Sequence, residues 1–323
     1  MKTKIMLLLI AAAGQLHAQY NYANLDVKTD LTTDQLKTYT YENMRIYPVH
    51  AKESFVNYNK NIGKYTPLKE AVEKEKIKIT ETSDGNARGN SPSVNKLYIQ
   101  NVSSDTVYIM GGEVVKGGKQ DRVISEDLIL PPKGKKIDLE VYCVEHGRWT
   151  GNSPANSNEF KSTANLSSIS ARKAAQVTKE QSKVWDEVEV VTSKNKSTTS
   201  TGTYTALGSS KDYTDKVGKY ISFFKTQLAK EPNIIGFVAA TADTVMGCDL
   251  FATSVMFNQQ VENLLRSYAT EAITNGAPVK IANATVKKYM DKLLADESAR
   301  PKFIEKSGKE FKKDDKVLHM AVY

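Results

Sequence analysis

The sequence predicts an α+β fold, with a β-rich N-terminal half and helices plus a second hairpin in the C-terminal half. Short runs of alternating apolar and polar residues recur up to Glu145, as in Arg122–Leu130 and Ile137–Glu145. Beyond that point apolar residues fall at helical spacing, most clearly Val217, Tyr220, Ile221, Phe224 and Leu228. Strands and helices are therefore largely segregated along the chain, whereas a parallel α/β sheet would need them to alternate.

Lys2 and Lys4 precede the apolar run Ile5–Ala13, and Ala18-Gln19 offers a cleavage point. Residues 1–18 read as a secretory signal peptide, too short to span a membrane. Leu16 is large for its place before that cut, so cleavage after Ala13 is the alternative. The expected product is soluble, exported to the periplasm or beyond the cell, and not membrane-spanning. Residues 19–40 form a polar, Tyr-rich N-terminal arm, and 41–323 a single α+β domain. Its β-rich half covers 41–150 and its helical half 165–323, with a hairpin at 234–253.

Within the first half, YENMRIYPV reads as a strand ending near Pro48. Thr66-Pro67 opens a helix carrying Leu68, Ala71 and Val72, and Lys76–Thr82 alternates as a strand. The polar loop SDGNARGNSPS follows, then strands Leu97–Val102 and Val107–Met110 around a Ser-Ser-Asp turn. Arg122–Leu130 and Ile137–Glu145 form the central antiparallel hairpin across PPKGKK. Pairing Leu130 with Ile137 sets Leu128 opposite Leu139, Ile124 opposite Cys143 and Arg122 opposite Glu145. Glu126 opposite Val141 is the weak point of that register.

In the second half a helix is expected from about Leu166 to Val191, with Leu166, Ile169, Val177, Val184 and Val188 as its stripe. The Ser/Thr/Gly run Ser193–Ser210 reads as a flexible connector. The Val217–Leu228 helix stops at Glu231-Pro232-Asn233. Ile234–Thr241 and Thr244–Thr253 then make a hairpin about Ala242-Asp243. Helices carrying Phe257–Tyr268 and Thr285–Leu294, a charged stretch, and a strand Val317–Tyr323 complete the chain.

The formal charge of +8 falls to +6 without the two leader lysines, and the basic residues are interleaved with acids. No basic face with stacking aromatics emerges, so nucleic acid is not an expected partner. Cys143 and Cys248 are the two cysteines. They could pair in an oxidising compartment, but each also sits among apolar strand residues as a small core side chain would. Cys143, Glu145 and His146 do not converge on a strand, and no metal site or cofactor is expected.

The stretch Gly111–Trp149 carries the chemistry. Glu113, Gln120, Arg122, Arg148 and Trp149 are the candidate ligand-binding residues, and Glu145 and Cys143 the candidate catalytic groups. An Arg122–Glu145 pair could close the sheet structurally, or could anchor a polar or anionic ligand beside glycine-rich backbone. The residues GGEVVKGGKQDR and CVEHGRW resemble the ARG- and rhodanese-phosphatase-superfamily-associated protein domain family, whose biochemical function is unknown. YENMRIYPV, YTPLKEAV, QSKVWDEV, IIGFVAATADTVMGCDLFAT and NLLRSYATEAI agree in order, so the resemblance covers roughly Tyr41 to Tyr323. It implies importance for Glu113, Lys119, Gln120, Arg122, Cys143, Glu145, Arg148 and Trp149. The chain departs at Asp121, where the family pattern has Asn, and Cys248 is particular to this chain, so a disulfide would not be a family feature. The family name further implies a nucleotide or ADP-ribose context for some members.

The function expected is that of an exported binding or interaction module. Its recognition site would lie at one end of the central hairpin, for a small polar or anionic ligand or a protein partner. The alternative is an enzyme acting on a phosphate- or ADP-ribose-type ligand, with Glu145 as acid/base and Arg122 and Arg148 as anion clamps.

Overall fold

A computed structural model describes residues 19–82, 94–148 and 159–323. The leader, the SDGNARGNSPS loop and Trp149 lie outside the described residues. The fold is α+β as the patterning implied, with antiparallel sheets dominating the first half and helices the second.

The central sheet has seven strands. In spatial order six of them are Leu25–Val27, Met44–Ala51, Ile234–Thr241, Thr244–Phe251, Lys316–Val322 and Gly308–Lys313, and Thr40–Tyr41 folds back on Met44–Ala51. The C-terminal hairpin expected about Ala242-Asp243 forms, and its first strand is buried throughout because both faces of the sheet are covered. Phe237 and Ala239 face helices Lys211–Leu228 and Ser254–Asn275, while Ile235 and Val238 face helix Asn283–Leu294. The expected N-terminal arm supplies an edge strand here, with Tyr20 wholly enclosed.

The second sheet has six antiparallel strands in the order Phe160–Leu166, Glu113–Gly117, Arg122–Ile124, Ile137–Cys143, Lys96–Asn101 and Ile77–Glu81. Its inner face packs against a three-stranded sheet of Leu128–Leu130, Val107–Ile109 and Thr66–Pro67, and against helix Leu68–Glu73.

The central hairpin register differs from the sequence expectation by two residues. Val141 lies opposite Ile124 and Cys143 opposite Arg122, so Glu145 does not face Arg122. A two-residue slip keeps every side chain on its original face, which is why alternation alone could not detect it. The cause is local: after Ile124 the chain leaves the sheet. Ser125 donates from its amide and its hydroxyl to the Glu140 carbonyl. Leu128–Leu130 then pairs with Val107–Ile109, so PPKGKK joins two different sheets. Ile137 and Leu139 meet Ile99 and Leu97 instead.

The long helix expected from Leu166 is also divided. Leu166 ends a strand opposite Glu113, and Ser168 caps a short helix, Ile169–Lys173. A π-helical turn, Ala174–Thr178, follows, and Lys179 at φ 58° breaks the chain direction before helix Gln181–Lys194. π turns recur at functional sites because the extra residue swings side chains out of the regular helical register. The Ser/Thr/Gly run is not a loose connector. The Thr201 carbonyl accepts from the amides of His146 and Gly147, and Tyr204 and Leu207 are buried.

Candidate functional site

The polar residues around the end of the hairpin are engaged mainly with one another. Arg148 donates through Nε to Glu145, through Nη1 to the Gly118 carbonyl at 2.8 Å, and through Nη2 to Asp121 at 3.2 Å. Glu145 also accepts the Asp121 amide at 3.1 Å. The pair joining this end is therefore Arg148–Glu145, in place of the expected Arg122–Glu145. Asp121 accepts both the Thr203 and Thr205 hydroxyls at 2.7 Å, which ties the end to the Ser/Thr segment. Gln120 donates to the His146 carbonyl, and Lys119 gives its amide to Glu81.

Arg122 is fully enclosed. Its Nη1 reaches the Gln120 carbonyl at 2.7 Å, while Nε and Nη2 have no partner among the described residues. Cys143 and Cys248 are both free and buried, so the reading as core side chains holds. Burial pushes the Cys143 thiol up to about 11 despite the opposing pull of Arg122. A thiol so held has little nucleophilic thiolate at neutral pH.

Glu113 belongs to a different place. It lies at the opposite end of its strand from Gly117, and its Oε2 accepts the Met110 amide at 2.8 Å. Burial raises it to about 8; the Met110 amide opposes that shift and the Asp127 charge adds to it. The preceding Gly112, at φ +95°, lies so close to Arg172 that an added Cβ would come within 2.8 Å of its Cγ. The GGE motif thus packs against a second polar cluster that the sequence did not bring together.

That cluster runs from the core to a cleft. Arg172 grips Asp249 through two hydrogen bonds, 3.0 and 2.6 Å, with neither side chain exposed. Asp249 also accepts the Tyr268 hydroxyl at 2.8 Å and lies 3.0 Å from His319 Nε2. On the other side, His319 Nδ1 lies 2.6 Å from Asp127, which further accepts the Tyr108 hydroxyl and the Gly111 amide. Phe251 stacks on the imidazole at 4.3 Å. Burial alone would lower His319, but Asp127 and Asp249 carry it up to about 9. Burial would likewise raise Asp249, yet Arg172 and His319 hold it well below the usual carboxylate range. Two basic side chains, Arg172 and His319, thus alternate with two acidic ones, Asp249 and Asp127, which is how a buried polar cluster is compensated.

His319 and Asp127 form part of the wall of a cleft of about 160 Å³. Glu126, Gln176, Lys309, Glu310, Phe311 and Ala321 complete the lining. Glu126 is latched to Lys179 at 2.7 Å, so the π turn and the Ser125–Asp127 corner meet at the rim. Gln176, on the π turn, accepts the Tyr323 hydroxyl, while its Nε2 is buried without a partner among the described residues. Arg172, Asp249, His319 and Asp127 were not among the sequence candidates. The available signal was a charge inside a strand otherwise apolar, as in VMGCDLF and KVLHMAV. Asp127, in the polar triplet Ser125–Asp127, gave none.

A family model, the ARG and Rhodanese-Phosphatase-superfamily-associated Protein domain, matches residues 33–322. The chain belongs to this family. No curated protein and no solved structure matches it. Among the described residues no helix is long and apolar enough to cross a membrane.

Proposed function

We propose that this chain is an exported binding module that takes a small polar ligand in the Asp127–His319 cleft. Export rests on the basic and apolar leader with its Ala18-Gln19 junction. The observation that carries the binding reading is the double engagement of His319. Both ring nitrogens meet carboxylates, so the imidazole has no nitrogen free to take a substrate proton. Such a group organises a rigid polar surface for recognition. The hairpin end supports a bracing role: Arg148 spends its donors on Glu145, Asp121 and main-chain carbonyls, leaving no open fork for an anion. The described hydrogen bonds of Glu145, to Arg148 and the Asp121 amide, give no support to acid/base work on a phosphate- or ADP-ribose-type ligand.

Thermal unfolding of the chain from Gln19 onward, against sugar phosphates, nucleotides, ADP-ribose, amino acids and small carboxylates, tests the reading. A midpoint shift abolished in Ala321→Leu, which fills the cleft, and weakened in Lys309→Ala is expected. Turnover of a bound compound, or shifts unaffected by both substitutions, would overturn it.

A further inference from the structure

A groove of about 390 Å³ lies beside the hairpin end, separate from the Asp127–His319 cleft. One wall is the outer face of helix Gln181–Lys194, where Ser182, Trp185, Asp186 and Glu189 fall three and four residues apart. The other wall is Thr198–Gly202 together with His146 and Gly147. This second wall is fixed by the main chain. The amides of His146 and Gly147 donate to the Thr201 carbonyl at 3.0 and 2.9 Å, and Gly202 donates to Thr199. Gly147 permits that closure, since a Cβ there would meet Ser200 and Thr201 backbone at 3.1 Å. The His146 ring stands edge-to-face with Trp185, centroids 4.5 Å apart, so the indole is held in place at the groove.

The lining chemistry is specific in what it combines and in what it omits. Among the described residues it offers an indole, two carboxylates and a row of hydroxyls, and no Lys or Arg. Asp186 has a distant partner in Lys183 at 3.5 Å, both of them exposed. A phosphate or carboxylate ligand would meet Asp186 and Glu189 with no counter-charge among the described wall residues. A neutral polyhydroxylated ligand meets each group with a match: its hydroxyls donate to the carboxylates, exchange hydrogen bonds with Thr198, Thr199 and Ser200, and its C–H face packs on the indole.

We propose that the groove between helix Gln181–Lys194 and the segment Thr198–Gly202 is a binding site for a neutral saccharide, with Trp185 as the apolar platform and Glu189 as the principal hydroxyl acceptor. This site is independent of the ligand assigned to the Asp127–His319 cleft.

The test is tryptophan fluorescence of the chain from Gln19 onward during titration with neutral gluco-, xylo-, manno- and chito-oligosaccharides. Tetramethylammonium and inorganic phosphate serve as charged probes. Trp149 and Trp185 are the only two indoles, so each is replaced by Phe in turn. A saturable change with one saccharide series is expected, retained in Trp149→Phe and lost in Trp185→Phe. Glu189→Ala, at an exposed position, should raise the dissociation constant about tenfold while leaving the unfolding midpoint in place. The proposal fails if no saccharide gives a saturable response or if a charged probe alone does. It fails equally if the response follows Trp149.

Discussion

Arg172 and Asp249 form a two-pronged ion pair, 2.6 and 3.0 Å, in which neither side chain reaches solvent. Asp249 takes two further hydrogen bonds, from Tyr268 and His319, so four donors converge on one carboxylate in the middle of the central sheet. Removing Arg172 strands that charge. Arg172→Met should destabilise the protein by about 3–5 kcal/mol in urea unfolding, the usual cost of breaking a buried pair from one side. Arg172→Met combined with Asp249→Leu should lose less than the two single losses added together. Simple additivity of the two substitutions would show that they do not act through each other.

The cluster also sets a pH dependence. His319 is raised from 6.5 to about 9, so its contribution to stability is complete below pH 6.5 and is lost as pH climbs through 9. Unfolding free energy of the wild type should fall across that window by roughly 3 kcal/mol, and His319→Gln should flatten the fall. Glu113 is raised from 4.5 to about 8, and its buried proton is favoured in the folded state. Its contribution is present below pH 4.5 and declines toward pH 8, so Glu113→Gln should gain stability relative to wild type as pH rises through that range. A wild-type profile flat from pH 5 to 9.5 would contradict both assignments.

Gly112 separates the strand carrying Glu113 from Arg172. Its φ of +95° is strained for any L side chain, and an added methyl meets Arg172 Cγ at 2.8 Å and Nε at 3.1 Å. Gly112→Ala should cost about 2–3 kcal/mol in chemical unfolding. It should also lower the affinity of any ligand of the cleft, because Arg172 holds Asp249 and, through it, His319. Wild-type stability and affinity in this variant would show that Arg172 has room to move.

At the hairpin end, Asp121 joins the Ser/Thr segment to Arg148. The carboxylate accepts from Thr203, Thr205, Arg148 and the Gly117 amide. An amide in its place has one acceptor oxygen, so Asp121→Asn should lose about 1–2 kcal/mol. Thr203→Val should cost less in the Asp121→Asn background than in the wild type. Equal costs in both would mean that the hydroxyl does not depend on the charge.

Much of the fold was readable because the patterns that built it are local. The Ile234–Phe251 hairpin follows from two apolar runs about a two-residue turn, and the helix ending at Leu228 from its Val217–Leu228 stripe. The arrangement at the hairpin end was less readable. Arg122 and Glu145 alternate correctly on their strands, but a two-residue slip that preserves faces leaves no trace in alternation. The helix broken at Lys179 kept apolar spacing on both sides of the break, so Ile169 and Val184 suggested one continuous rod. The Asp127–His319 cluster was hidden for another reason. Its members come from residues 127, 172, 249 and 319, and only tertiary packing makes neighbours of them.

As part of a recognition surface, His319 is an imidazolium clamped between two carboxylates. Nitrogen-15 shifts of the His319 ring, followed from pH 5 to 10 and assigned with His319→Gln, test it most directly. Both ring nitrogens should be protonated at pH 7.5, with a single titration near pH 9. A neutral ring at pH 7.5, with one nitrogen unprotonated, would contradict it. That result would place a usable base at the cleft and turn the reading toward an enzyme.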